Sequence, residues 1–385
     1  MNTNDIQFYD LLSRARKSGE GQLQEFIANQ VMQKYNNLEI PGFEFAQDML
    51  LDFTYEQIQG EYGLNIMASY VDIDSPAIPD ATEGATLATG RIPRMKKVEY
   101  FNEDKWRKML ILEDRFGQDS DRVFENALVT LFKTTDKLIG GHINSLSYQR
   151  HQIVSTGKFT ITAENNPNGI KGLTFSSHVP QSNTTKLTGN KRWWTDSAKT
   201  TEGSEANPIA DLIAMRELAR TKGVRGHFEV NANYLTKVLG HSKVVAQIGV
   251  NVLPAASADA QSAYAGILSR DKKKAALAEL VGAPIVEYDH IVTTQKITKG
   301  VVENVTLESF AQGVFVFVPD GSLGEILTVE PLAIEGGKYA KFLDGRGLLT
   351  VGADYVKKCQ SFNTELTSLV VPNLPQYMWY LNPDA

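Results

Sequence analysis

The amino-acid sequence predicts an α+β fold in which one long helix lies across a β-sheet and an α/β domain follows it. Three observations carry this prediction. A proline-free stretch from Gln118 to Gly157 has apolar residues at helical spacing. A long, basic, extended segment precedes this stretch, and helix and strand patterns alternate after Asn207. A sheet segregated from an alternating helix–strand segment is typical of α+β proteins.

The composition indicates a soluble globular chain. Of 385 residues, 42% are hydrophobic and 22% are charged, which is enough apolar material for a core. The net charge of −6 argues against a protein that wraps nucleic acid with a basic face. Cys359 is the single cysteine, so no internal disulfide can form and a reducing compartment fits. No apolar run reaches the roughly 20 residues of a membrane span, and the first residues do not resemble a secretory signal.

The chain begins with a polar segment that we interpret as an N-terminal arm, residues 1–40. Its apolar positions form a narrow helical stripe, which packs either on a neighbouring subunit or on its own domain. Residues 41–72 follow as the start of the helix-bearing domain. They include a predicted strand from Gly63 to Asp72.

The extended segment between Asp74 and Glu103 predicts a long two-stranded loop. It has few large apolar residues and cannot bury itself, so we expect it to lie on another surface. Its four clustered basic residues are expected to meet acidic residues of an adjacent subunit; they are Arg91, Arg94, Lys96 and Lys97. The alternative is a disordered surface loop.

The long helix is predicted from Asp119 or Ser120, either of which can cap its first turn, to a stop at Gly157. At about 1.5 Å per residue it would be roughly 55 Å long. Gly140-Gly141 predicts a bend. The alternative is an ordinary core helix broken at these glycines. The apolar residues assigned to packing are Leu128, Leu131, Leu138 and Leu146.

A predicted hairpin follows the helix, with strands at residues 158–162 and 172–175. A polar connection from Pro180 to Glu205 then contains Trp193 and Trp194. Adjacent residues of an extended chain point to opposite sides, so one tryptophan is a candidate interface anchor. Internal packing of both rings is the alternative.

An α/β domain is predicted from Asn207 to Glu330. Asn207 caps a helix whose first residue is Pro208, and short helices and strands alternate beyond it. The small residues from Pro254 to Ser269 predict an exposed loop. The last segment, residues 331–385, alternates as strands that are expected to return to the sheet beneath the long helix.

Motifs for catalysis, nucleotide binding and metal binding are absent from the sequence. Gly336-Gly337-Lys338 is followed by Tyr339, so it does not complete a phosphate-binding loop. His142 and His151 are nine residues apart on the predicted helix, and no carboxylate spacing completes a metal site. We therefore expect no cofactor, no metal and no catalytic residue. An enzyme that uses the α/β domain remains an alternative.

The order of these parts resembles the major capsid proteins of tailed bacteriophages with the Hong Kong 97 fold, and most closely the lambda-type coat protein group. The resemblance is carried by residues 71–97, residues 207–249 and residues 327–337; their sequences are VDIDSPAIPDATEGATLATGRIPRMKK, NPIADLIAMRELARTKGVRGHFEVNANYLTKVLGHSKVVAQIG and LTVEPLAIEGG. These stretches cover about a quarter of the chain and their motifs are loose. The order of elements covers nearly all of it.

The resemblance implies an assignment for each part of the chain. Residues 73–108 would be the E-loop, which lies on a neighbouring subunit. The long helix and its sheet, with residues 41–72 and 109–206, would form the P-domain. Residues 207–330 would be the A-domain, with Pro254 to Ser269 near its tip. Residues 331–385 would return to the P-domain.

The resemblance also implies a function. The chain would assemble as hexamers and pentamers into an icosahedral shell around double-stranded DNA, in the virion, after assembly in the host cytoplasm. Only about 72 residues precede the loop, so a separate scaffolding protein is implied, together with a portal and an optional decoration protein. We expect no covalent lattice link, because Lys96 and Lys97 lie in a basic cluster that favours ion pairing. The alternative with the same fold is an encapsulin-like compartment.

Overall fold

The computed structural model describes residues 40–60, 85–101, 103–104, 107, 120–298, 301–333, 338–354 and 359–384. At residues 56–60, 85–89, 101, 120–135, 338, 353–354 and 359–360 it describes the backbone only. The predicted arm and the predicted strand from Gly63 to Asp72 lie outside the described residues. The α+β class is confirmed, and the described chain divides into two compact units.

The first unit is built on a six-stranded sheet. Strands β1, β13, β16, β15 and β14 follow one another across it, and β4 also pairs with β16. In chain order these strands are Phe43–Phe45 (β1), Arg94–Phe101 (β4), Gly324–Thr328 (β13), Lys338–Phe342 (β14), Gly347–Asp354 (β15) and Cys359–Pro372 (β16). The β14–β15, β15–β16 and β16–β4 pairs are antiparallel.

Helix α1 spans Ser120–Thr156, 37 residues, and runs through Gly140 and Gly141 without interruption. The prediction of a single long helix is confirmed, and the alternative of a break at these glycines is wrong. Gly157 has a φ of +71°, a left-handed value that ends a helix at little cost when no Cβ is present. Leu138 and Leu146 are buried as predicted. The side chains of Leu128 and Leu131 lie outside the described residues.

The second unit contains a five-stranded sheet in the order β7, β17, β12, β8, β9. Its strands are Thr184–Lys186 (β7), Gly226–Asn231 (β8), Ile285–Tyr288 (β9), Phe315–Pro319 (β12) and Trp379–Asn382 (β17). Its helices are Pro208–Thr221 (α2), Ala232–Leu239 (α3), Ser242–Val252 (α4), Ala258–Ile267 (α5) and Arg270–Val281 (α6). One apolar core lies between these helices and the sheet.

Three two-stranded sheets complete the described fold. The first is a ribbon of Thr54–Gly60 (β2) and Ala85–Arg91 (β3). The second is the predicted hairpin after α1, Lys158–Thr160 (β5) with Thr174–Ser176 (β6). The third, Ile291–Thr298 (β10) with Val301–Glu308 (β11), pairs antiparallel along its whole length.

The structure differs from the sequence-based boundaries in three places. The ribbon's outgoing strand is β2, before residue 73, and the residues after Arg94 belong to the six-stranded sheet as β4. The predicted loop from Pro254 to Ser269 contains helix α5, because Ala265 packs into the core. The last strand, β17, pairs with β12 and β7 of the five-stranded sheet instead of returning to the sheet of the first unit.

Candidate interaction surfaces

Strand β4 carries the basic cluster, and the structure supplies partners for most of it within the chain. Arg94 Nε lies 2.9 Å from Glu365 Oε1, and Lys96 Nζ lies 3.1 Å from Glu365 Oε2. Glu365 is the neighbour of Lys96 in the β4–β16 register. Arg91 lies near Asp52 and helps to lower the pKa of that carboxyl, after the hydrogen bond from Thr54. Arg94 and Lys96 therefore have an acidic partner within their own chain, and the expected contact of the cluster with an adjacent subunit stays a prediction.

Lys97 points to the opposite face of β4 and reaches helix α1. Its Nζ donates to the backbone oxygen of Lys137 at 3.3 Å. A Cβ on Gly141 would overlap the end of this side chain, so the glycine leaves room for the ammonium group. Loss of water beside the helix lowers the pKa of Lys97, and the nearby charge of Lys137 lowers it further. The sequence offered no sign of this desolvation, since Gly141 is 44 residues away.

The two faces of the six-stranded sheet differ in how far their side chains are exposed to solvent. The inner face lies against α1, where His142 Nε2 is 2.9 Å from Thr364 Oγ1 and its ring stacks on Phe342. Six residues of this face are almost fully buried; they are Ala340, Phe342, Leu349, Phe362, Thr364 and Leu366. The outer face exposes large side chains; they are Lys96, Val98, Tyr100 and Tyr339. The alternation of β4 between the faces follows from the strand's period of two.

The tryptophan pair lies inside the second unit, which corrects its interpretation as a possible interface anchor. Trp193 is 0% exposed and Trp194 is 4% exposed. Trp193 Nε1 donates to Asp211 Oδ2 at 2.8 Å, and its ring packs edge-on against Phe315. Both rings belong to the core cluster, because the chain around them is not a regular strand with alternating faces. They stabilise the fold of one subunit.

A buried ion pair lies under the five-stranded sheet of the second unit. Arg150 of α1 and Glu229 of β8 make two parallel hydrogen bonds, and each side chain is 1% exposed. Tyr288 Oη donates to Glu229 Oε1 at 3.1 Å, and the Arg150 guanidinium lies 4.7 Å from the Tyr288 ring centre. Burial raises the pKa of Glu229, but Arg150 and His227 outweigh it and bring the pKa to about 2. The pair is a permanent structural contact at neutral pH.

Histidines surround this ion pair. His151 lies 4.6 Å from Tyr288 and 5.7 Å from His290 between ring centres. Burial lowers the pKa of His151 to about 3, and the charge of Arg150 adds to the effect. His227 bridges Glu229 and Asp320, and its hydrogen bond to Glu229 raises its pKa. Among the residues that the structure describes, no group of three His, Cys, Asp or Glu side chains could hold a metal ion.

Two elements of the second unit expose apolar side chains. At α4 and α5 these are Val250, Val252, Tyr264 and Ile267, the last of them 80% exposed. The helices are held close because Gly249 lies against the backbone of Gln261, where any Cβ would overlap. On the β10–β11 hairpin the exposed residues are Ile291, Ile297, Val301 and Val302. Exposed apolar residues that are grouped together are typical of protein–protein contact sites.

Sequence reasoning missed the hairpin surface altogether. The runs IVTTQKIT and VVENVTLE are rich in β-branched residues, and only Lys299 and Gly300 separate them. Two strand-like runs with a short, glycine-containing separator indicate a hairpin. No helix within the described ranges is long and apolar enough to cross a membrane.

No protein-family model and no curated protein matches the chain. Solved structures are similar to it over almost its full length. A phage-related protein from Bordetella bronchiseptica RB50 is 12% identical, with a TM-score of 0.45, over 98% of this chain and 97% of that chain. The capsid protein of cyanophage P-SCSP1u is 10% identical, with a TM-score of 0.43, over 99% of each chain. The SrpI encapsulin of Synechococcus elongatus PCC 7942 is 10% identical, with a TM-score of 0.38, over 98% and 95%.

Proposed function

We propose that this chain is the major capsid protein of a tailed double-stranded DNA bacteriophage. It is a structural protein, and its activity is assembly. The observation that carries the proposal is the order of its parts: a two-stranded ribbon, a 37-residue helix on a sheet, an α/β unit, and strands that return to that sheet. This is the order that the sequence resemblance to the Hong Kong 97 fold implies.

In this proposal the exposed surfaces are contacts between subunits. The β2–β3 ribbon lies on a neighbour as the E-loop, while β4 belongs to the sheet and Arg94 and Lys96 orient it through Glu365. The α4–α5 surface contacts other copies in hexamers and pentamers. A portal, a separate scaffolding protein and an optional decoration protein complete the head, which encloses DNA without sequence specificity. The finished protein resides in the virion.

Particle size and content test the proposal. The expressed protein should form closed shells or ring-shaped capsomers in negative-stain micrographs, and particles from an infected host should show nucleic acid absorbance. A small oligomer of constant size would contradict the proposal and favour a soluble enzyme. Shells that hold protein cargo without nucleic acid would favour an encapsulin-like compartment.

The absence of covalent lattice links is part of the proposal. Mature heads boiled in SDS should run as one band near 42.6 kDa. The lowered pKa of Lys97 makes this test sharper, because a neutral amine is a better nucleophile. A ladder of multiples that resists reductant, and that disappears in Lys97→Arg, would contradict the proposal and identify the lysine.

A further inference from the structure

The two edges of the β10–β11 hairpin are treated differently by the fold. On the β10 side, Asn168 from the loop between β5 and β6 lies against the strand. Its Nδ2 donates to the Gln295 backbone oxygen at 2.5 Å, and its Oδ1 accepts from the Ile297 backbone N–H at 3.1 Å. Thr294 Oγ1 also donates to the Glu164 backbone oxygen of the same loop, at 3.2 Å. One carboxamide thus occupies the donor and acceptor that a neighbouring strand would use.

These contacts define which residues face outward. In an antiparallel pair, the N–H and C=O of one residue point to the same edge, and successive residues alternate. Gln295 and Ile297 therefore direct their backbone groups away from β11. Their partners in the register are Asn304 and Val302, which direct their own groups away from β10. The Gln295 side chain donates to Asn304 Oδ1 at 3.2 Å, as expected for the closely spaced pairs that exchange no backbone hydrogen bonds.

The outer edge of β11 is open among the residues that the structure describes. Outward backbone groups of Val302, Asn304 and Thr306 pair with no other described strand. Val301 and Val302 are 69% and 54% exposed, and Asn304 and Thr306 are exposed too. A free strand edge that carries β-branched residues is a template for pairing with another chain. The fold blocks one edge of this hairpin and leaves the other available.

We propose, resting on the shell function above, that β11 pairs antiparallel with β11 of a second copy, about a twofold axis at Asn304. The observation that selects a second copy is the self-complementarity of this register. Val302 lies directly opposite the other copy's Thr306, and Glu303 lies directly opposite its Val305, so like charges meet only at the diagonal between the two copies of Glu303. Glu303 keeps Lys296 as its neighbour within the hairpin.

The twofold register also covers the apolar residues at the edge. Val301 lies opposite Leu307 of the other copy, and the row through Val302 contains Ile297 and two threonines. A contact of this kind is isologous, since the same surface serves both subunits. In a shell it joins two subunits across a twofold axis. This twofold contact is thus distinct from the proposed contacts of the β2–β3 ribbon and of α4 and α5, which join the subunits of one hexamer or pentamer.

A disulfide at the axis tests the register. In a Cys359→Ser background, Asn304→Cys would place the sulfur atoms of the two copies next to each other across the axis. Directly opposed residues have Cα atoms about 5.5 Å apart, and a disulfide needs a Cα–Cα distance of roughly 4.4–6.8 Å. Mild oxidation of assembled particles should give a band at twice the 42.6 kDa monomer mass. The matched control is Gln295→Cys, the cross-strand partner on the blocked edge, which should give at least about tenfold less dimer.

A second pair of variants tests the backbone pairing. Thr306 and Thr293 are register partners, one on each edge, and both are exposed. Thr306→Pro removes an outward N–H and should reduce shell yield, whereas Thr293→Pro should leave it near wild type. Intact shells with no excess dimer from Asn304→Cys would overturn the pairing and leave the shell function standing. Loss of yield in Thr306→Pro without that dimer would assign the edge to a different strand. A wild-type protein that never assembles would overturn both proposals.

Discussion

Among the described residues, Glu229 and Glu365 each lie against basic side chains, and the two clusters differ in how deeply they are buried. Glu229 meets Arg150 where both are 1% exposed, while Glu365 meets Arg94 and Lys96 where these are 46% and 60% exposed. Water is excluded from the Glu229 cluster, so each buried charge needs the opposite charge of its partner. In the Glu365 cluster, solvent screens the charges and can replace either partner. The same chemistry therefore stabilises the subunit in one place and only orients a strand in the other.

The largest change in the free energy of unfolding is expected when the buried ion pair of Arg150 and Glu229 is broken. Glu229→Ala leaves the Arg150 guanidinium buried without its counter-charge, which should cost about 3–5 kcal/mol of unfolding free energy. Denaturant titration of unassembled subunits would measure it. The double variant Arg150→Met with Glu229→Leu should recover most of the loss, because both charges are removed. A loss below about 1 kcal/mol in the single variant would contradict the assignment of this pair to the core.

Gly226 and Gly141 differ in whether the atoms next to them can move to make room for a Cβ. A Cβ at Gly226 would overlap the backbone oxygen of Val318, whereas at Gly141 it would overlap only the flexible end of Lys97. Gly226→Ala should cost about 1–3 kcal/mol, as overpacking does. Gly141→Ala should stay within about 1 kcal/mol of wild type, because the lysine can move and alanine favours the helix. Equal losses, measured by thermal unfolding, would contradict this distinction.

The pH dependence of stability tests the histidine beside the buried pair. His151 has a pKa of about 3 in the folded chain and an ordinary value of 6.5 in the unfolded chain, so unfolding takes up a proton between these pH values. The contribution of neutral, buried His151 to the free energy of unfolding is complete above pH 6.5 and declines as the pH falls toward 3. At pH 5 the decline should be about 1–2 kcal/mol.

His151→Phe should reduce the slope of the pH profile between pH 6.5 and 5 while keeping the ring contacts, and the slope that remains is expected from His142, whose burial lowers its pKa to about 4. The matched control is His178→Asn, at an exposed position with a φ of +54° that asparagine tolerates. An unchanged slope in His151→Phe would show that other groups cause the acid sensitivity.

The smallest effect is expected at the exposed cluster. Glu365→Gln should change the unfolding free energy of a subunit by about 0–1 kcal/mol, and less in high salt. The measurement is the denaturation midpoint at two salt concentrations. A loss comparable to that of Glu229→Ala would mean that the exposed and buried clusters do not differ in the way that their solvent exposure indicates.

Local signals made much of the fold predictable. Asn207 accepts from the Ala210 N–H and Pro208 is the first residue of α2, as the sequence indicated. The end of α1 at Gly157 and the strand around Phe228 were also predictable from local sequence. These features depend on residues a few positions apart, where capping and backbone preferences act directly.

Contacts between distant residues were not predictable. Glu365 lies 269 positions from Lys96, so no local pattern indicates that the basic cluster has a partner in its own chain. The alanines and serines around residue 260 resemble a loop, yet Ala265 is buried because Gly249 lets α5 approach closely. The burial of Trp193 and Trp194 was not predictable for the same reason, because it depends on contacts with Phe315 and Tyr234, which are far away in the sequence.

If β11 pairs with a second copy as proposed, the carboxamide of Asn168 also limits how far the joined sheet can grow. A hairpin with two free edges can add copies without limit, as a fibre does, because every addition presents a new free edge. Here each hairpin has one terminated edge, so pairing at the other consumes the last growth site and stops at four strands from two chains. Asn168→Ala would restore a second growth site. Under the proposed pairing, the side chain would therefore limit assembly at this hairpin to two chains.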